Sequence, residues 1–388
     1  MDSHVLYDTL RTILNTHLDI DELGLLPLPP TPDELPAATR QYHPFLLVGT
    51  KLGVPLDYVP VVLKGANAVF MRLPHARLEE AGETVVMALE EATRVIIVLN
   101  PECNTAINTR KKLVLANYLP APTELRLLTL LLTSPRNTKS STAWHHRRWL
   151  LQLSPHGPTT PLANEIALCH RTANLYPKNY YAWNHRHWVV SVLTEHARRS
   201  ETVDSPCDGG AAAARALLQS EYGAMREWVR GNVGDHSGVQ HLERCLVAVV
   251  GVDGEEKEKV REHVEWVREF VAAYPGHETL WCHLRFCAGL ARELGAGVVG
   301  LAEEETFVRR CVEEAETGKG AMTETDPVVL ARQRMLAWAY QLWVVRLGKR
   351  VTGHADATTR AREREALERI CEVAEEPRYY RLQLEQLD

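Results

Sequence analysis

Apolar residues recur at i, i+3 and i+4 along most of this chain. The stretches 84–99, 106–118, 162–175, 179–197, 255–273, 277–294 and 326–347 all carry that spacing, which predicts amphipathic helices. Breakers stand between them at Pro101, Pro120, Pro122, Pro177, Gly234, Pro275 and Pro327. Alternating Val/Ile/Thr runs closed by tight-turn residues are scarce, so few strands are predicted. The Pro-rich stretch from Pro27 to Pro36 reads as a loop tying an N-terminal helix to the rest. Residues 198–215 read as a polar insertion, flexible at Asp208-Gly209-Gly210. Residues 251–259 read as a turn leading into an acidic helix start.

The helices repeat. Five segments align on one position: Trp144-His145-His146-Arg147-Arg148-Trp149, Trp183-Asn184-His185-Arg186-His187-Trp188, Trp281-Cys282-His283-Leu284-Arg285-Phe286, Trp338-Ala339-Tyr340-Gln341-Leu342-Trp343 and the degraded Val239-Gln240-His241-Leu242-Glu243-Arg244. A sixth copy, Ile107-Asn108-Thr109-Arg110, precedes them. The anchors 107, 144, 183, 239, 281 and 338 lie 37, 39, 56, 42 and 57 residues apart, and the first long gap holds the 198–215 insertion. A period of about 35–40 residues with two helices per unit predicts an all-α solenoid of helix pairs, a single elongated repeat domain. The expected layout is an N-terminal helical region with its Pro-rich loop over 1–90, the repeats over 91–350 and capping helices over 351–388.

Composition narrows the function. Lys plus Arg number 44 against 50 Asp plus Glu, a net charge of −6, which speaks against a nucleic-acid binder. Nine Trp against five Phe is an unusual ratio, and seven of the nine indoles fall in the repeat segments. The eight Cys include no Cys-x-x-Cys pair, which suits scattered thiols of a reducing compartment. The opening MDSHVLYDTL has no basic, apolar leader, no stretch reaches 18 uninterrupted apolar residues, and the closing QLEQLD has no Cys. These features predict a cytoplasmic chain without a membrane span that is not itself a prenylation substrate.

Each helical residue turns about 100°, so aromatics at i and i+5 lie about 140° apart and bury area on two sides of one helix. Arg at i+3 can pack its stem while its guanidinium meets helix-end carbonyls or a carboxylate. The plain reading of Trp, His and Arg is therefore a repeat core with satisfied polar handles. Neither His145/His146 nor His185/His187 has i, i+4 spacing or an acidic or Cys companion at ligand spacing, so no metal site is expected in this chain. Asn179 suits a helix N-cap.

The string Tyr176-Pro177-Lys178-Asn179-Tyr180-Tyr181-Ala182-Trp183-Asn184-His185-Arg186 resembles the signature repeat of protein prenyltransferase α subunits, and Trp144 to Trp149 is similar to another repeat of that family. That resemblance covers roughly 95–350. Outside the repeats, Ile20–Pro27, Lys51–Val54, Asp235–Gly238 and His277–Trp281 carry the resemblance over nearly the whole chain, toward the geranylgeranyl-transferring members.

The resemblance implies a crescent of helix pairs wrapped around the β subunit of Rab-type geranylgeranyltransferase. That partner would hold zinc and most of the isoprenoid pocket. The implied chemistry transfers geranylgeranyl from its diphosphate to the C-terminal Cys of a protein substrate, and the implied role is a non-autonomous α subunit that scaffolds the partner and helps recruit substrates. A Lys five residues before the repeat Trp is implied to reach the diphosphate. Here Lys139 and Lys178 hold that offset, with Tyr180 a further pocket hydroxyl, while the other repeats have Glu102, Gly234, Gly276 and Gln333. The pattern also departs from the family: Ile107 and Val239 replace Trp, Leu242 and Gln341 replace Arg, Arg285 comes one place late, and Ser140-Ser141 replaces Asn-Tyr. The alternative is a non-catalytic helical scaffold for protein–protein interaction, which has no need of the paired Lys.

Overall fold

The computed structural model describes residues 2–73, 82–153, 159–176, 178–199, 209–253, 256–295, 301–318, 326–352 and 357–387. They divide into two compact units, residues 1–189 and 190–388.

The first unit opens with α1 (Ser3–Thr16), whose N-terminus is capped where Asp2 accepts the His4 N–H. Three short strands follow, β1 (Glu22–Leu26), β2 (Leu46–Val48) and β3 (Lys51–Pro55), then α2 (Val59–Arg72). The helical series continues with α3 (Glu83–Leu99), α4 (Asn104–Leu115), α5 (Ala121–Leu131), α6 (Ser141–Gln152), α7 (Thr159–Leu175) and α8 (Tyr180–Arg199). The division between units falls inside α8. In the first unit α3 packs on α4, α5 on α6, and α4 on α6.

The strands are a departure from the helical N-terminal region expected over 1–90. They form one sheet in the order β1-β3-β2, β1 parallel and β2 antiparallel to β3. Leu23, Leu47, Leu52 and Val54 turn into the core. The Leu23 N–H donates to Thr133 Oγ1 just past α5, 2.8 Å away. Each strand is too short to show a period, and β1 finds its parallel partner 29 residues along the chain (Glu22 opposite Lys51), so pairing is decided by tertiary contacts.

The second unit comprises α9 (Gly209–Gly231), α10 (His236–Asp253), α11 (Glu256–Ala273), α12 (Glu278–Glu293), α13 (Leu301–Thr317), α14 (Pro327–Thr352), α15 (Ala357–Val373) and α16 (Arg378–Glu385). Neighbours pair α9/α10, α11/α12, α13/α14 and α14/α15, and the alternate helices α10, α12 and α14 pack in series. The fold is an all-α helical repeat. Residues 200–208 of the expected insertion lie outside the described residues, residues 198–199 close α8 and 209–215 open α9. The expected turn after Gly251 also falls partly outside them, at 254–255. No described helix is long and apolar enough to cross a membrane. The seven described cysteines are free thiols.

The repeat anchor is buried wherever it occurs: Ile107, Trp144, Trp183, Val239, Trp281 and Trp338 are all core residues. At Trp149 and Trp188 the second indole, five residues on, is half-buried and covered by a cation from the preceding repeat helix. Lys111 lies over Trp149 at 5.3 Å and Arg148 over Trp188 at 5.4 Å. Such contacts add about 0.5–1 kcal/mol at exposed positions.

Candidate functional site

Carboxylates on the intervening helices organise the repeat helices. Glu124 of α5 is fully buried and takes the Arg110 side chain of α4 at 2.6 Å and His146 Nε2 of α6 at 2.8 Å. Glu165 of α7 repeats this with Arg147 of α6 and His185 of α8, at 2.6 and 2.9 Å. Arg at i+3 of one repeat and His at i+2 of the next thus share one carboxylate. Burial would raise each Glu, but the adjacent guanidinium and imidazole lower it further, to about 2 in both cases. Burial lowers His185. That shift favours the neutral imidazole as the donor to Glu165, whose charge is met by the Arg147 guanidinium.

The same position varies in the second unit. Leu242 and Leu284 replace the Arg, and the guanidinium beside Glu304 comes from Arg268 of α11, 2.6 Å away. Tyr340 takes the place of His and donates to Glu304 at 2.8 Å. Arg285, one place late in the repeat, is not the residue that meets Glu304.

The loops that open the repeat helices rest on one another. Asn179 donates from Nδ2 to the Thr138 carbonyl at 2.9 Å, and the Trp144 indole N–H donates to the same oxygen at 2.8 Å. Asn179 Oδ1 also accepts the Ala182 N–H, the expected cap of α8. In the second unit Gln333 accepts from Gly276 N–H and Trp281 Nε1–H at 2.9 and 3.0 Å. Glu102 reaches the start of α6, where it accepts from Ser140 and Thr142.

These contacts place the predicted site residues. Lys139 and Lys178 are exposed, on the two loops joined by the Asn179–Thr138 hydrogen bond. The Lys139 ammonium lies 3.7 Å from the centre of the Tyr176 ring. Lys178 has a left-handed backbone, φ +59°. Tyr180 is exposed, with its ring edge-on to Tyr181. Both lysines immediately precede helix N-termini, whose dipoles favour anions.

A groove of about 410 Å³ begins beside those loops and runs between α4, α6 and α8. Its polar wall includes Lys111, His145, Arg148, Asn184 and Tyr181, and the Glu102 carboxylate meets its rim at Thr142. Partial burial lowers the Arg148 guanidinium from its ordinary value, and it donates to the Asn184 carbonyl at 3.0 Å. Such a surface suits an anionic or hydrogen-bonding partner. Lys111, Arg148 and Tyr181 were not identified as site residues from the sequence. The signal was available: the residue after each anchor, Asn108, His145 and Asn184, is exposed and lines the groove, and Lys111 and Arg148 lie one turn further on the same helical stripe.

Residues 122–154 and 162–193 match the family model of the protein prenyltransferase alpha subunit repeat, two successive matches along the chain. The chain is also similar to proteins named "Protein prenyltransferase alpha subunit repeat-containing protein 1". It is 27% identical to that of Homo sapiens over 332 residues, covering 72% of this chain and 75% of the relative. It is 29% identical to that of Danio rerio over 316 residues, covering 69% and 67%. The Xenopus laevis relative 1-B is 27% identical over 329 residues, covering 71% and 69%.

Proposed function

We propose that this chain is the repeat-bearing α subunit of a heterodimeric protein geranylgeranyltransferase, inactive alone and cytoplasmic. One observation carries the reading: the two matched repeats contain Lys139 and Lys178 at equivalent offsets, exposed on adjoining loops at the N-termini of α6 and α8.

In this reading the partner is the β subunit of Rab-type geranylgeranyltransferase. It holds the zinc, which keeps the substrate's C-terminal Cys as a thiolate at neutral pH. A thioether bond forms at C1 of geranylgeranyl diphosphate as the bond to the diphosphate breaks. This chain supplies positive charge to the departing diphosphate through Lys139 and Lys178 and the two helix N-termini, with the Tyr180 hydroxyl as a further donor. The groove with Lys111 and Arg148 serves docking.

The Lys139 contact with Tyr176 favours a second reading, a scaffold that carries no charge into a reaction. Co-expression with the Rab-type β subunit tests both. Stable pairing together with transfer of geranylgeranyl to a protein ending in Cys supports the first reading. Failure to pair removes it, and a stable but inactive pair leaves the scaffold.

A further inference from the structure

Two imidazoles and a thiol meet in the core of the second unit. His263 of α11 and His283 and Cys287 of α12 are fully buried. The Nε2 atoms of the two histidines are 2.9 Å apart. Cys287 Sγ is 3.8 Å from His283 Nε2, and the donor atoms of all three residues lie within 4.8 Å of one another. The outer nitrogens are held: the Tyr222 hydroxyl is 2.7 Å from His263 Nδ1, and Glu243 Oε1 is 3.2 Å from His283 Nδ1.

This node breaks the repeat rule. At the two nodes described in the first unit the intervening helix brings Glu124 or Glu165 and the preceding repeat helix brings Arg110 or Arg147. Here His263 stands at the Glu position and Leu242 at the Arg position, so both charges are lost together. The proton count follows from the partners. Glu243 can only accept, so His283 carries its proton on Nδ1 and presents a lone pair at Nε2. His263 must then donate from Nε2, and its Nδ1 accepts from Tyr222. One proton sits between two inward-facing Nε2 atoms, beside a thiol. Imidazoles aimed inward by a carboxylate and a hydroxyl on their outer nitrogens are how metal-binding histidines are held.

We propose that His263, His283 and Cys287 bind one borderline-soft divalent cation of the zinc class. A donor set of two nitrogens and one sulfur selects such an ion over Mg2+ or Ca2+. On binding, the His263 proton passes from Nε2 to Nδ1, where it is donated to the Tyr222 oxygen. Both imidazoles remain neutral. The thiol loses its proton, Cys287–SH + M2+ giving Cys287–S−–M2+ + H+, so one proton is released per metal. The ion fastens α11 to α12 at the node that lacks the Arg–Glu pair. The neighbouring Glu221, His241 and Cys245 form the other such cluster among the described residues. There the carboxylate already takes His241 Nε2 at 2.7 Å, as at the regular nodes.

The test titrates the chelator-stripped full chain with Co2+, then with Zn2+. The expected result is one Co2+ per chain, with a thiolate-to-metal charge-transfer band, four-coordinate visible bands, displacement by Zn2+ and release of about one proton. Cys287→Ser removes the charge-transfer band and Cys245→Ser leaves it. Glu243→Gln keeps the circular dichroism of the parent and weakens Co2+ binding about 10- to 100-fold. Absence of stoichiometric binding overturns the proposal, as does a band that survives Cys287→Ser. If Cys287→Ser does not fold, unchanged Co2+ affinity in Glu243→Gln overturns it.

Discussion

Glu165 on α7 lies 2.9 Å from Nε2 of His185 on α8, and that carboxylate also holds Arg147 of the preceding repeat at 2.6 Å. Neighbouring repeats are joined through a buried charge. Glu165→Gln leaves Arg147 buried without its counter-ion and is expected to lower stability by about 3–5 kcal/mol. Replacing both residues together, Arg147→Met with Glu165→Leu, is expected to cost clearly less, because no lone charge remains. Denaturant unfolding of the three proteins checks the order, and a double variant as unstable as Glu165→Gln would contradict it.

The same nodes set the acid response. Burial depresses His185, so the unfolded chain binds more protons than the folded one below about pH 6.5, and stability starts to fall there. Glu124 and Glu165 are depressed from 4.5 to about 2, so their contribution is whole above about pH 4.5 and is lost as pH drops toward 2. Unfolding free energy measured from pH 8 to 3 is expected to decline in two stages. Glu165→Gln is expected to flatten the second.

Two glycines in helices should respond with opposite sign. A Cβ on Gly238 of α10 would sit 2.0 Å from a ring carbon of Trp228 on α9, so Gly238→Ala is expected to cost about 1–3 kcal/mol. A Cβ on Gly289 of α12 meets nothing within 4 Å, so Gly289→Ala is expected to add about 0.5–1 kcal/mol through helix propensity. Thermal unfolding of both variants reads the difference.

Within the proposed heterodimer, Lys139→Ala is expected to lower turnover about tenfold or more and leave subunit pairing intact, because it removes a cation from the leaving diphosphate. Steady-state transfer and size-exclusion chromatography measure the two effects. Unchanged turnover would move the role to Lys178 or to the partner chain. Lys111→Ala, in the groove, is expected to weaken pairing instead.

How far the fold was legible depended on whether its signal was local. The helices over 84–99, 162–175, 255–273 and 277–294 recur within a few residues of the periodic stretches, because an amphipathic face repeats every three to four residues. The recurrent Trp marked the buried anchor in four of the six repeats for the same reason. The strands were not legible, since β1 and β3 pair across 29 residues and neither is long enough to show a face. The candidate site was half legible. Lys139 and Lys178 stood out by their offset from Trp, whereas Lys111 and Arg148 emerged only when α4, α6 and α8 placed their exposed stripes side by side.

The sequence by itself determined the all-α helical repeat, its anchor residues and the likeness of its repeats to prenyltransferase α subunits, because each rests on spacing within one helix or on a period along the chain. Only the tertiary structure decided which carboxylate joins which Arg and His. Glu165 comes from 18 residues beyond Arg147 and 20 before His185, on a helix of its own. Only it brought His263 against His283 and Cys287. Those meetings depend on which faces of neighbouring helices are pressed together, and no window of the sequence contains that information.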